Sequence, residues 1–406
     1  MIGSQSINKL TMTKNFKPAQ LPERILLGPG PCNVDPRVLH AMSKPITSYK
    51  DPAFLNYVEE VSEMLKILFQ TNENTTFAIS GTGSAGMEAG INSLLEPSDT
   101  IIICNCGFFG ERMAEMAKRI GCKTVVLEGD WGKPFPIEKL ESELKKHKQV
   151  KLIAAVQAET STGILQDIEP ISKLARSHNA FTMIDSVTSL GGNTLKVDEW
   201  NLDYCYSASQ KCLACPPGLS PVALSQRARE SIKNRNTPPS SWYLDLNLIA
   251  GYWDKPHTYH HTIPISLILG LHEALRILLE EGIEVRFERH RQNGEALRNG
   301  VEALGLKLLA PNESKLDQVT PIWIPEGIDG DKIQQALLND YNIEIGTGFG
   351  KFAGKIWRIG LMGESSKSEY VLKLLSAFEE ILPKEGFEIA SGIGVEAASE
   401  TYLSFK

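Results

Sequence analysis

The stretch FTMIDSVTSLGGNTLKVDEWNLDYCYSASQK, residues 181–211, holds two short apolar runs, FTMIDS and DYCYSAS, joined by a polar segment. Short apolar runs bounded by turn residues are typical of buried strands. Similar runs lie on both sides, between residues 75 and 225, and helix-like stretches such as 109–120 separate several of them: TTFAIS, TIIIC, TVVLE, KLIAAVQ and LSPVALS. This alternation predicts βαβ units and an α/β fold with a largely parallel sheet covered on both faces.

The chain length of 406 residues exceeds the range in which one hydrophobic core usually keeps growing, so two domains with a cleft are expected. The apolar segment 263–282 predicts a long helix that bridges them. Beyond it, a charged helix at 286–304, the run DQVTPIWIP, a helix from Asp329 and the run KIWRIGLMG indicate an α+β domain. We expect four parts: an N-terminal arm (1–24), a large domain (25–279), a small C-terminal domain (280–390) and a poorly packed tail (391–406).

The composition argues against several classes of partner. A net charge of -7 and a pI near 5.7 provide no basic surface for nucleic acid or anionic lipid, and no apolar run approaches the length of a bilayer span. The seven cysteines are odd in number and scattered, which suits reduced thiols, and Cys212 and Cys215 lack the second pair of a zinc site. The first 17 residues lack the features of targeting peptides. We expect a cytoplasmic protein with small-molecule partners.

Lys211 and Asp185 are the residues of the quoted stretch that indicate chemistry. Lys211 follows a predicted strand, and no other charge lies in the flanking SASQ and CLACPPG, which favours a desolvated, nucleophilic amine over a solvated surface lysine. Asp185, 26 residues earlier, ends an apolar run where a buried carboxylate needs a partner; a turn aspartate is the alternative. An amine that holds an aldehyde and a carboxylate that keeps a pyridine nitrogen protonated are the groups that pyridoxal phosphate uses.

Two glycine-rich segments are candidates for close backbone approach to a ligand. SGTGSAGMEA (80–89) leads from a strand into a helix, so its first amides can bind a phosphate, although turns of this kind are common. GPGPCN (28–33) contains two glycines and two prolines, which exclude a regular helix or strand there. We expect this second segment to cap the cleft.

Single side chains suggest further contacts. Thr160 in AETSTGI can donate a hydrogen bond to a phenolic oxygen of the cofactor, and Phe109 in CGFFGER can stack on a flat ring. Arg358 is a lone arginine in an apolar strand, where its fork suits a substrate carboxylate; an ion pair with Glu344 is the alternative. The adjacent histidines of TYHHTIP (258–264) are expected to point to opposite sides of an extended chain, which argues against a shared metal ion.

These motifs together resemble one enzyme family. Between residues 28 and 363 the chain is similar to the class V (fold type I) pyridoxal-phosphate aminotransferases, especially the alanine:glyoxylate and serine:pyruvate branch, through GPGP, SGTGSAGMEA, ETSTG, DSVTSLGG, SASQK, ACPPG and YHHTIP. The resemblance implies a large domain with a mostly parallel seven-stranded sheet and a smaller C-terminal α+β domain. It also implies a homodimer whose active sites are shared across the interface.

The resemblance further implies roles for individual residues. Lys211 would form the Schiff base with the cofactor and move the substrate proton, and Asp185 would pair with the pyridine nitrogen. The implied cofactor-binding residues are Thr82, Gly83, Ser84, Phe109, Thr160, Asp185, Val187, Gln210 and Lys211, joined by Tyr259 and Thr262 of the partner subunit. The implied substrate-binding residues are Gly30, Thr160 and Arg358. Phe109 and Ser84 replace a tryptophan and a histidine of the animal enzymes, which puts cofactor affinity and substrate preference in question.

The reaction that this resemblance implies is transamination of alanine or serine, with glyoxylate as acceptor, to give pyruvate or hydroxypyruvate and glycine. Donors such as ureidoglycine or 3-hydroxykynurenine remain alternatives on the same fold. A lyase of the cysteine desulfurase type is a second alternative, and it would need a mobile catalytic thiol. A catalytically silent protein would lack the lysine or the aspartate, and both are present here.

Overall fold

The computed structural model describes residues 16–405; Lys9 and Lys14 of the expected N-terminal arm lie outside the described residues. In the described part the strands are, in chain order, β1 (Ile25–Leu27), β2 (Thr75–Ser80), β3 (Thr100–Asn105), β4 (Lys123–Glu128), β5 (Leu152–Val156), β6 (Ala158–Glu159), β7 (Ile164–Leu165), β8 (Phe181–Asp185), β9 (Tyr204–Tyr206), β10 (Leu219–Leu224), β11 (Val319–Trp323), β12 (Ile343–Thr347) and β13 (Ile356–Gly360).

The α-helices of the same part are α1 (Pro36–Met42), α2 (Pro52–Phe69), α3 (Gly83–Leu94), α4 (Phe108–Arg119), α5 (Ile137–Leu144), α6 (Glu169–Ser177), α7 (Gln226–Lys233), α8 (Leu246–Trp253), α9 (Ile265–Glu281), α10 (Ile283–Ala303), α11 (Gly330–Asp340), α12 (Ser368–Ile381) and α13 (Ile393–Ser404). Several begin at an aspartate whose carboxylate accepts hydrogen bonds from first-turn amides, as Asp329 does for α11. Within the described residues, no helix has the length and apolar character needed to span a bilayer.

The large sheet contains all seven apolar runs that the sequence marks as strands. Its order is β2-β10-β9-β8-β5-β3-β4, and β4, β3, β5, β8 and β9 pair in parallel. Strand β10 pairs antiparallel with both β9 and β2. The predicted mostly parallel seven-stranded sheet is therefore confirmed. Since parallel strands end at one edge, the loops after β2, β5, β8 and β9 lie together, and that is where ligands bind in α/β folds.

The small sheet has the order β1-β12-β13-β11. Strand β1 runs parallel to β12, with Leu27 opposite Ile345, although the sequence prediction places these first residues in the large domain. That placement is wrong, because β1 pairs with a strand of the small sheet. The sequence did not indicate this, since a three-residue strand has too few side chains to show which sheet it joins. The other expected domain boundaries stay predictions.

The C-terminal segment also differs from the expectation. Residues 393–404 form helix α13, which packs along α10 and α12 and buries Ala398. Both oxygens of Glu379 accept hydrogen bonds from amides at the start of this helix, Gly394 to Oε1 at 2.8 Å and Gly392, the residue before the helix, to Oε2 at 2.8 Å. The prediction of a poorly packed tail is wrong because Val395 and Tyr402 of this helix pack against the core of the small sheet, and packing of one face stabilises a helix more than its composition does.

Candidate active site

A cavity of about 470 Å³ lies between the large sheet and the small sheet. Its floor comes from the loops that follow strands β2, β5, β8 and β9, and its roof comes from β12, β13 and the segment after β1. The cavity contains the predicted site residues of one chain except Tyr259 and Thr262: Gly30, Thr82, Gly83, Ser84, Phe109, Thr160, Asp185, Val187, Gln210, Lys211 and Arg358.

Lys211 lies five residues after β9 and is only 8% exposed. Burial lowers the pKa of its amine to about 8, and the positive charge of Arg358 acts in the same direction. Its Nζ donates a hydrogen bond to the Pro29 carbonyl. Gly30, with φ of +101°, passes so close that a Cβ at this position would lie 2.7 Å from Nζ. The GPGP loop therefore covers the lysine, as the sequence predicts, and this close approach excludes a side chain at residue 30.

Asp185 ends β8 and is buried. Its Oδ1 accepts a hydrogen bond from the Val187 amide at 2.9 Å, and its Oδ2 accepts one from the Tyr206 hydroxyl at 2.6 Å. Burial nevertheless raises the pKa of the carboxyl to about 6, because these bonds compensate only part of the lost hydration. Sequence reasoning missed Tyr206, whose position on the neighbouring strand β9 follows from the pairing of Asp185 with Tyr206.

The first turn of α3 faces the cavity. Thr82 precedes the helix in extended conformation without capping it through its side chain, so first-turn amides stay available for an anion. A Cβ at Gly83 would lie 3.0 Å from Val187 Cγ2 and 3.1 Å from the Ala208 Cβ, so this part of the turn admits only glycine comfortably. Ser84 Oγ accepts a hydrogen bond from Arg112 Nη1 at 3.0 Å, which brings a cation that the sequence interpretation missed to the same end of the cavity.

Phe109 is held by a buried carboxylate on the adjacent loop. Its amide donates to Glu159 Oε2 at 3.2 Å, while Glu159 Oε1 accepts hydrogen bonds from the amide and hydroxyl of Ser161. Burial raises the pKa of Glu159 to about 7. Gly107, the residue before α4, has no side chain to cap that helix, and Glu159 fulfils this function from outside. Its motif, ETSTG, was noted for Thr160, but nothing in the sequence links Glu159 to Phe109.

Arg358 on β13 is 2% exposed, and its side chain enters the cavity. Its Nε donates to the Thr347 carbonyl at 2.6 Å and its Nη1 to the Thr160 carbonyl at 3.1 Å. Among the described residues no carboxylate lies within 4.0 Å of the guanidinium, so the alternative of an ion pair with Glu344 is not observed. Burial lowers the pKa of Arg358 to about 10. A desolvated arginine without an acidic partner is suited to bind a carboxylate ligand.

The TYHHTIP segment lies outside this cavity, and both Tyr259 and Thr262 are exposed. The expectation that its two histidines point apart is wrong, because His260 Nδ1 and His261 Nδ1 are 2.7 Å from each other. His260 Nε2 donates to the Trp242 carbonyl at 3.1 Å, and His261 Nε2 is 2.7 Å from Ser80 Oγ. Each of the four ring nitrogens thus has a polar partner within 3.1 Å.

The cavity residues match the chemical groups of pyridoxal phosphate. The uncapped turn at Gly83 offers amides for a phosphate, and Gln210 Oε1 is buried without a hydrogen-bond partner among the described residues. Asp185 offers a carboxylate to a pyridinium, Lys211 an amine to the aldehyde, and Phe109 and Val187 apolar surface to the ring. The individual contacts stay predictions, but the donor set fits the cofactor at each of its functional groups.

Comparison with known proteins gives consistent matches. The family model "Aminotransferase class-V" matches residues 26–355. The chain is 39% identical to (S)-ureidoglycine–glyoxylate transaminase of Bacillus subtilis (strain 168), covering 94% of this chain and 96% of that protein. It is 37% identical to alanine–glyoxylate aminotransferase of Drosophila melanogaster, covering 90% and 94%. The crystal structure of alanine–glyoxylate aminotransferase from Nostoc sp. superposes with a TM-score of 0.90 at 42% identity, covering 93% of this chain and all of that one.

Proposed function

The chain belongs to the class V aminotransferase family, and from that premise we propose that it transfers the amino group of alanine or serine to glyoxylate. The observation that supports this most is the single cavity in which Lys211, Asp185 and Arg358 meet. Proteins of this family are pyridoxal-phosphate enzymes, and the cavity offers a group for each part of that cofactor. Relatives at 39% and 37% identity carry glyoxylate in their names, which supports this acceptor.

Each of the three residues has a task that follows from its surroundings. When bound, pyridoxal phosphate supplies an electron sink for the negative charge that develops at the α-carbon of the substrate. Lys211 is the one amine among the cavity residues, and its lowered pKa makes it a base near neutral pH. Asp185, fixed by Tyr206 and Val187, holds a proton on the ring nitrogen. Arg358 binds the α-carboxylate, which amino donors and keto acceptors share.

The experiment that tests the proposal is a half-reaction followed by absorbance. The purified enzyme, saturated with pyridoxal phosphate, receives alanine, serine or another amino acid, and glyoxylate is added afterwards. We expect the visible band of the bound cofactor to bleach with alanine or serine and to return with glyoxylate. A band that no amino acid bleaches would contradict the proposal. A band that returns with pyruvate but not with glyoxylate would contradict the acceptor alone.

Ureidoglycine is a second candidate donor, because polar side chains besides Arg358 line the cavity. Gln334 and Glu344 are among them, and Gln334 Nε2 donates to the Ile345 carbonyl at 2.7 Å, which leaves its Oε1 as an acceptor. The Gln334 Oε1 and the Glu344 carboxylate are acceptors suited to the N–H groups of a ureido group, which alanine lacks. The half-reaction with each donor under identical conditions ranks the two candidates directly.

A lyase of the cysteine desulfurase type has less support. None of the seven cysteines, all of which lie in the described part of the chain, lines the cavity. Cys212, next to the lysine, is buried, and burial raises the pKa of its thiol to about 12, so it is not a mobile nucleophile. All seven are free thiols. This state is consistent with the cytoplasmic location that we propose.

We also propose that two copies of the chain form a homodimer in which Tyr259 and Thr262 complete the partner's site. Tyr259 is 51% exposed, and the exposed Trp242 and Tyr243 lie against the ring of the adjacent His260, so exposed aromatic side chains of the kind found at interfaces flank this segment. Complementation tests this arrangement. Inactive Lys211→Ala subunits mixed with weakened Tyr259→Ala subunits should regain activity, because a hybrid dimer contains one intact site. Mixtures that are no more active than their components would refute sharing.

A further inference from the structure

Phe349 lies on the short loop after β12 and contacts the arginine of the cavity. The Arg358 guanidinium carbon is 4.1 Å from the centroid of the Phe349 ring. The same ring also meets Phe108, the first residue of α4, with centroids 5.1 Å apart. Phe349 belongs to the small-sheet part of the molecule and Phe108 to the large-sheet part. The ring of Phe349 is therefore placed between the two parts, directly against Arg358.

The remaining contacts of Arg358 show what this ring contributes. Backbone carbonyls bind two edges of the guanidinium, Thr347 at Nε and Thr160 at Nη1. These bonds fix the positions of two nitrogens, and the aromatic ring lies against the guanidinium carbon and excludes water from that side. An aromatic face attracts a guanidinium more strongly when the cation is desolvated. Phe349 is thus placed where its ring bears on both the orientation of the Arg358 guanidinium and the polarity around it.

The loop that carries Phe349 has anchors of its own. Gly350, at φ of +53°, lies against Trp131, and Lys351 Nζ is 4.9 Å from the centroid of the Trp131 ring. Phe352 packs on Trp131 and Trp323, with centroid distances of 6.0 and 5.5 Å. The Phe349 side chain itself is 37% exposed, so the packing of the core does not depend on it. Its replacement should leave the loop in place.

We propose that Phe349 is a positioning residue for the substrate carboxylate: its ring, held between Phe108 and Arg358, orients the arginine fork and shields it from water. This inference rests on the proposed function, since it needs a substrate that carries a carboxylate. In this role Phe349 differs from the residues that we expect to contact the cofactor. The ring acts through Arg358, so its loss weakens carboxylate binding without removing a group that moves a proton.

The test compares four substitutions in the full-length enzyme with bound cofactor: Phe349→Ala, Phe349→Leu, Phe349→Tyr and, as matched control, Phe352→Leu. KM and kcat are measured for alanine and for glyoxylate. We expect Phe349→Ala to raise the KM of both substrates about 3- to 30-fold, the range that corresponds to loss of one cation–π contact, while kcat changes less than KM. Phe349→Leu, which keeps most of the side-chain volume but has no aromatic ring, should still show a raised KM. Phe349→Tyr, which keeps the ring, should have a KM close to that of the wild type.

A second measurement reports carboxylate binding alone, because its ligand does not react. Acetate, a carboxylate without an amino or keto group, is titrated as a competitive ligand, and its inhibition constant should rise in Phe349→Ala by the same factor as KM. An unchanged inhibition constant, or an equal rise in Phe352→Leu, would overturn the role of Phe349. A wild-type enzyme that does not transaminate any amino acid would instead overturn the proposed function, so the two failures are distinguishable.

Discussion

Replacing Tyr206 by phenylalanine removes one hydroxyl and, with it, the 2.6 Å hydrogen bond to Asp185 Oδ2. The neighbouring Tyr204 provides a matched control. Both tyrosines lie on β9, both are fully buried, and their rings stack with centroids 6.0 Å apart. The Tyr204 hydroxyl donates to the Gly86 carbonyl at 2.7 Å rather than to a carboxylate. The two phenylalanine variants therefore differ mainly in whether the lost bond had an ionisable acceptor.

The magnitude follows from the charge of the acceptor. A hydrogen bond to a neutral group contributes about 1 kcal/mol to the free energy of unfolding, and one to a charged group about 1.5–3 kcal/mol. Tyr206→Phe should therefore cost more where Asp185 is ionised than where it is protonated. The difference of roughly 0.5–2 kcal/mol corresponds to a rise of about one pH unit in the Asp185 pKa, at 1.36 kcal/mol per unit.

The sign of the pH dependence can be stated for the cofactor-free protein. Burial raises the Asp185 pKa from 3.8 to about 6, so the folded state binds this proton more tightly than the unfolded state does. The stability that Asp185 contributes is complete below about pH 4 and is lost as pH rises through about 6. In Tyr206→Phe the folded-state pKa is higher still, so the loss continues to a higher pH than in the wild-type protein.

Urea unfolding of the cofactor-free wild type and both variants at pH 5, 6, 7 and 8 measures this effect. We expect Tyr204→Phe to cost a similar free energy at every pH, because its acceptor does not titrate. The cost of Tyr206→Phe should resemble that of the control at pH 5 and exceed it at pH 8. If the difference between the two variants is the same at pH 5 and pH 8, the hydrogen bond does not control the ionisation of Asp185, and the reasoning is refuted.

Further predictions concern the other cavity groups. Lys211→Ala should abolish multiple turnover and the visible band of the bound cofactor. An absorbance spectrum and a coupled assay measure both, and a variant that keeps wild-type turnover would contradict the role of the lysine. The rate at which the cofactor-free enzyme takes up pyridoxal phosphate should increase as pH rises through about 8, the pKa of Lys211, and a flat stopped-flow profile from pH 6.5 to 9 would speak against it. Arg358→Ala should raise KM for every amino acid by at least tenfold, since one charge-assisted hydrogen bond contributes about 1.5–3 kcal/mol; unchanged KM values would make the arginine structural. Glu159→Ala should weaken cofactor affinity by leaving the Phe109 amide without its acceptor, and equal dissociation constants by fluorescence titration would contradict this.

The elements of the large sheet were predictable because each of its strands is a short apolar run bounded by turn residues, such as TIIIC and FTMIDS. The antiparallel direction of β10 was not predictable from LSPVALS, since a fully buried run reads alike in either direction. Strand β1 and helix α13 were misplaced for a related reason. Three residues carry no periodicity, and the few apolar side chains of α13, such as Val395 and Tyr402, are spread among small and polar residues and form no clear helical pattern.

In the site, too, residues were predictable when their own sequence segment marked them and not when their role depends on a contact made by the fold. Lys211, Asp185 and Arg358 were recognisable because each is an isolated charge in an apolar segment. Tyr206 and Glu159 were not, because their importance depends on a contact with a residue on another strand or loop: Tyr206 on Asp185, Glu159 on Phe109. The alternation of DYCYSAS does place Tyr206 on one face of its strand. The register that brings it to Asp185 exists only in the assembled sheet.

The pairing of β1 with β12 has a consequence for how the enzyme is made. Residues 25–27 leave the ribosome early, yet the strand beside which they lie, 343–347, is synthesised more than three hundred residues later. Until then β1, which leads into the segment 28–31 over Lys211, has no strand to pair with. The lysine therefore gains its cover only when nearly the whole chain is complete, and a nascent or truncated chain that ends before β12 lacks a closed active site.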